Sequence, residues 1–129
     1  MNAEILGDRP RDPGERTEPY LSELSNEMVR LYKDIFGRGP TKAKTAYAGA
    51  DLIVATLETS LTRPERRMAQ ADEHERLRNL RTYYQYQHEN DFVGAVQRVT
   101  GRKVRAFVSG IDTKRDVAAE LFYLEPRET

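Results

Sequence analysis

The chain has 129 residues, 38% apolar and 33% charged, with 21 residues of each sign and no cysteine, so its formal net charge is zero. That length makes one ordinary domain with a modest core, and the missing cysteines exclude disulfides, a thiolate nucleophile and Cys-ligated zinc. Balanced charge argues against a dedicated nucleic-acid binder, and no apolar run reaches bilayer length or resembles a signal peptide, so a cytoplasmic protein without direct membrane insertion is expected.

Residues 1–17 carry Gly7, Pro10, Pro13, Gly14 and dense charge, the composition of a flexible tail. A single domain is expected over 18–125, with a short tail at 126–129. From Leu21 through Leu24, Met28, Leu31, Tyr32 and Ile35, apolar residues recur at helical spacing. Pro19 suits the first turn of a helix and Gly37 suits a position just past the last, which predicts a helix over 19–36. Two strand-like runs, 43–48 and 52–58, flank Gly49-Ala50-Asp51 and predict a hairpin. Thr62-Arg63-Pro64-Glu65 is a capping box with proline in the tolerant first turn, so a helix begins near residue 63. Unbroken to residue 99 it would run about 55 Å at 1.5 Å per residue, too long for this domain. A break is therefore expected near 71–73. A longer helix then follows, with Leu77, Leu80, Tyr84, Phe92, Val96 and Val99 facing inward and Gly101 as its stop. Val104–Val108 and Val117–Leu124 predict a second hairpin with its turn at 111–116. The fold class expected is α+β in two layers, tandem helix–hairpin units forming a four-stranded, mostly antiparallel sheet covered by helices.

Two stretches leave a helix and enter a strand with clustered cations: Phe36-Gly37-Arg38-Gly39-Pro40-Thr41-Lys42-Ala43-Lys44, and Thr100-Gly101-Arg102-Lys103-Val104-Arg105. Their simplest role is to stop a helix, with the cations near its negative end. As anion or partner contacts, Arg38, Lys42, Lys44, Arg102, Lys103 and Arg105 would act through side chains alone. A helix C-terminus presents carbonyls, whereas phosphate loops lead into helix N-termini. In Arg81-Thr82-Tyr83-Tyr84-Gln85-Tyr86-Gln87-His88, Tyr84 is expected inside. Tyr83, Tyr86 and Gln87 would decorate the outer face, and Tyr83, Tyr86 and His88 form a candidate interface. No metal site and no cofactor are expected, since His74 and His88 are the only histidines and lie fourteen positions apart.

Gly37-Arg38-Gly39-Pro40, the hairpin with Asp51-Leu52, Leu61-Thr62-x-x-Glu65, the long charged helix, Thr100-Gly101-Arg102-Lys103-Val104 and Ile111-Asp112-Thr113 together resemble the MpsC-like family of small bacterial proteins. That family is named after a sodium-translocating, membrane-potential-generating system. The resemblance covers residues 20 to 125. It implies a cytoplasmic accessory protein associated with a membrane system for cation or inorganic-carbon uptake, and no established reaction. Where members often carry a His and an Asp before the last turn, this chain has Val108, Ser109 and Gly110.

Three readings follow. The first is a non-catalytic accessory protein with a membrane transport complex as partner. The second is a nucleic-acid-binding module, with Tyr47 and Phe107 stacking on bases, which requires the six cations to form one continuous face. The third is a small enzyme using Tyr84, His88 or Asp112. A homodimer is expected in addition. Strands with apolar residues on both faces need a second cover, and the helices suffice for only one.

Overall fold

The computed structural model describes residues 19–127. The tail expected at 1–17 and residues 128–129 lie outside them. Helix α1 (Pro19–Phe36) leads into strands β1 (Lys42–Tyr47) and β2 (Leu52–Glu58). Helices α2 (Arg63–Gln70), α3 (His74–Gln87) and α4 (Glu89–Thr100) follow, then β3 (Val104–Asp112) and β4 (Val117–Leu124). All strand pairs are antiparallel, in the order β1-β2-β4-β3. Each hairpin thus contributes one edge strand and one central strand, and the two halves join at β2–β4.

Alternation sorts the sheet into two faces. Ile53, Ala55 and Leu57 of β2 and Ala118, Phe122 and Leu124 of β4 are buried under the helices. They meet Leu24, Met28 and Tyr32 of α1 and Phe92 and Val96 of α4 in one core. The opposite face carries Ala46, Val54, Leu121 and Val108 in one cross-strand row.

The stops work as their residues require. Gly37 and Gly101 have φ of 82° and 73°, a left-handed conformation that costs glycine little. Their amides close back on the carbonyls of Lys33 and Gln97 at 2.8 and 2.9 Å. The capping box is complete: the Thr62 amide donates to Glu65 Oε1 at 2.8 Å, and the Glu65 amide donates to Thr62 Oγ1 at 3.4 Å.

The expected break at 71–73 is present, but a second one divides the longer helix at His88. The His88 carbonyl accepts from the amides of Asp91 and Phe92, restarting the helix, while Glu89 and Asp91 complement its positive end. The inward face of α3 also differs from the expectation. Leu80 and Tyr84 are 40% and 43% exposed, and the buried residues are Leu77, Arg81 and Gln85. The apolar choice failed because the layer beneath α3 is polar. Ser60, Glu65, Ser109 and Glu120 lie there, and Arg81 and Gln85 bond to them.

Candidate functional site

The loop after α1 and the loop after β2 meet at one atom. Arg38 donates from Nη1 to the Leu61 carbonyl at 2.6 Å, and Arg66 Nη1 reaches the same oxygen at 2.8 Å. Gly39 lets the loop lie close to α1, since a Cβ there would stand 3.2 Å from Val29 Cγ1. Asp116, itself at φ 57°, holds the other side of this junction. Its carboxylate accepts from the amides of Ser60 at 2.9 Å and Leu61 at 3.2 Å, and its carbonyl accepts from Thr59. Thr59 is β-branched and also left-handed at φ 60°, a strained conformation that the surrounding bonds hold in place.

Beneath the junction runs a buried polar layer. Arg81, fully buried, donates to Glu65 Oε1 at 3.1 Å and to Ser60 Oγ at 2.9 Å. Its guanidinium lies 3.7 Å from the centre of the Phe36 ring. Next to it stands Glu120, also fully buried, whose Oε2 accepts from the Tyr32 hydroxyl and from Gln85 Nε2. Gln85 Nε2 also meets Ser109 Oγ, and the Ser109 amide donates to the Tyr86 hydroxyl at 3.0 Å. Among the described residues, Glu120 Oε1 and Gln85 Oε1 find no hydrogen-bond partner. Burial pushes the Glu120 carboxyl up to about 7, against the lowering effect of Ser109, Tyr32, Gln85 and the Arg81 charge. Burial, followed by the charge of Glu120, likewise raises the Tyr32 phenol. Sequence reasoning missed Glu120 although a signal was there. It falls in step with Ala118, Phe122 and Leu124, on the inner face of β4.

The expected cationic residues do not form one face. Arg38 sits beyond the end of β2. Arg102 lies at the opposite end of the sheet, clamped to the Ala50 carbonyl and Asp51 at 2.7 Å and to the Glu125 carbonyl at 2.9 Å. Lys42 and Lys44 project from the β1 edge, whereas Arg105 is on the β3 edge, 5.4 Å from the Tyr123 ring centre. Lys103 holds the chain end through its carbonyl, which accepts from the Glu125 amide. Phe107 is buried in the core and Tyr47 is bonded to Tyr20. The stacking pair of the nucleic-acid reading is therefore not on display.

The residues of the enzyme reading are separated as well. His88 Nδ1 donates to the Tyr84 carbonyl at 2.9 Å, not to its hydroxyl. Asp112 accepts from the amides of Lys114 and Arg115 in the β3–β4 turn, and these bonds lower its carboxyl. Tyr83 and Tyr86 do come together, lining a shallow recess of about 370 Å³ with Asn79, Thr82 and Gln87. His88 instead faces a groove between α1 and α4, with Arg30 and Asp91. Among the described residues, no group of three or more His, Asp or Glu is placed to hold a metal ion, and no helix is long and apolar enough to cross a membrane.

The segments quoted for the resemblance thus converge: GRGP meets LTxxE at Leu61, and TGRKV grips Asp51. The family model described as "Na+-translocating membrane potential-generating system (MpsC)" matches residues 17–126. The chain belongs to the MpsC family. No curated protein and no solved structure matches it. In this member of the MpsC family, the shared motifs build loop junctions and a helix cap. Arg63, Arg66 and Arg67 of α2 and Tyr83, Tyr84 and Tyr86 of α3 face outward.

Proposed function

We propose that the protein is a non-catalytic accessory subunit of a Na+-translocating, membrane-potential-generating system, acting from the cytoplasmic side and docking through the outer face of α3. Family membership supports the system. The observation that carries the docking role is the inverted character of α3. Its inner face is polar, with Arg81 and Gln85, while Leu80, Tyr83, Tyr84 and Tyr86 are 40–59% exposed. Tyrosines joining an apolar body to a polar tip suit a partner that binds and releases. The test is a deletion strain in its native host, read with a potential-sensitive dye. Wild-type protein should restore the potential, and Leu80→Ser/Tyr84→Ser should not, although it folds. Full restoration by that variant would overturn the docking face. An unaltered potential in the deletion strain would overturn the role itself.

We also propose a homodimer through the sheet face that the helices leave open. Lys42, Glu58, Val117 and Asp112 share one cross-strand row on that face. A two-fold axis along the strands would set Lys42 over the partner's Asp112 and oppose no like charges. It would also cover Val54, Leu121 and Val108. Sedimentation equilibrium decides it. A single-chain mass at all micromolar concentrations would refute it, and Leu121→Lys should give that mass.

A further inference from the structure

The surface of α2 is unlike the rest of the molecule. Arg63, Arg66, Arg67 and Gln70 recur at helical spacing, so they share one stripe. Together they line a shallow recess of about 370 Å³. Arg38 adds a fourth guanidinium, fixed on the same carbonyl as Arg66, so the two cations are neighbours across a single oxygen. Of the other described arginines, Arg30, Arg76, Arg81, Arg98, Arg102 and Arg115 each meet a carboxylate, while Arg78, Arg105 and Arg127 do not but stand singly on separate segments. Among the described residues, none of Arg38, Arg63, Arg66 and Arg67 meets a carboxylate.

The one acid in the first turn of α2, Glu65, is turned inward. It is consumed by the Thr62 cap and by Arg81. Arg63 opens the helix at the end where the backbone dipole is positive and disfavours cations. Four guanidinium groups, none of them paired with a carboxylate among the described residues, therefore cluster on and beside α2. Such a departure from local electrostatic rules marks a binding site more often than a stability device. Guanidinium forks match tetrahedral oxyanions, offering paired N–H donors that a lysine cannot.

We propose that this arginine-lined recess on α2, completed by Arg38, binds a phosphate-type oxyanion, either free or as the headgroup of an anionic lipid. Both sources present the same oxygens to the same forks. The role of Arg38 is then double: it fixes the strand-to-helix connection and stands beside Arg66, which lines the recess.

The test uses the full chain and Arg63→Gln/Arg67→Gln. Among the described residues neither of those side chains makes a hydrogen bond or ion pair that holds the fold, so the variant should keep the wild-type thermal transition. Inorganic phosphate is titrated at constant ionic strength against chloride and followed by amide and arginine Nε resonances. In parallel, vesicles of phosphatidylglycerol and of phosphatidylcholine are sedimented with the protein. Saturable shifts centred on residues 63–70 identify a soluble phosphate ligand. Co-sedimentation with phosphatidylglycerol alone, without saturation by phosphate, identifies a headgroup. Either response should weaken tenfold or more in the variant. Absence of both, equal shifts with chloride, an undiminished response in the variant, or binding of polyglutamate with phosphate inert would each overturn the proposal.

Discussion

Replacing Glu120 by glutamine isolates the cost of ionising a buried carboxyl. The ordinary carboxyl value is 4.5, and in the fold Glu120 is pushed up to about 7. At 1.36 kcal/mol per pKa unit, the ionised side chain burdens the native state by about 3 kcal/mol. The sign follows from which state holds the proton more tightly, here the folded one. The native state is free of this burden below pH 4.5, acquires it as pH rises towards 7, and carries all of it above. Glutamine keeps the shape and the acceptor for Tyr32 and Gln85 but does not titrate. Its amide stands where Oε1 already lacks a partner, which costs about 1–3 kcal/mol at every pH. Urea unfolding of both proteins at pH 5 and pH 8 separates the two effects. The stability of Glu120→Gln relative to wild type should rise by about 2–3 kcal/mol between those pH values, because part of the burden is already present at pH 5. Other groups titrate alike in both proteins and cancel. A relative stability that changes by less than about 1 kcal/mol would refute the reasoning and mean that hydrogen bonds and Arg81 hold the carboxylate ionised.

Gly37→Val should lower stability by about 1 kcal/mol or more, because a β-branched side chain resists φ of 82°, and thermal unfolding reads it directly. Arg81→Ala leaves the Glu65 carboxylate without its buried partner and should cost about 3–5 kcal/mol by urea titration. Adding Glu65→Gln should recover part of that loss, and strict additivity of the two changes would count against a direct pair. Thr62→Ala removes one half of the capping box and should cost about 1 kcal/mol, with amide exchange quickening first in residues 63–66.

The helix stops, the capping box and both hairpin turns were legible because each depends on a residue with a local conformational reason. Gly37, Gly101, Thr62 and Glu65 act on their immediate neighbours. The facing of α3 was not legible. Leu80 and Tyr84 are better core candidates than Arg81 and Gln85 by hydropathy, and only the polar layer contributed by distant segments reverses the choice. The break at His88 was hidden for a similar reason. Glu89 and Asp91 read as ordinary charged helix, and the break lets Phe92 stack on Phe107, a residue distant in the sequence. The arginines of α2 gave no signal in the sequence beyond the place of Arg63 in the capping box. Their significance appears only when Arg38, from another loop, reaches the same carbonyl.

The strand order has a consequence for how the chain reaches this fold. Pairing within each hairpin closes over a short turn, and helices α2 to α4 form from neighbouring residues. The β2–β4 ladder is different, because it joins the first half of the chain to the second along Leu52–Glu58 and Val117–Leu124. Closing that loop costs chain entropy before any contact compensates. The folding barrier should therefore sit at the meeting of two preformed halves. Substitutions on the β2–β4 ladder would slow folding, whereas those in the β1 or β3 edges would mainly hasten unfolding.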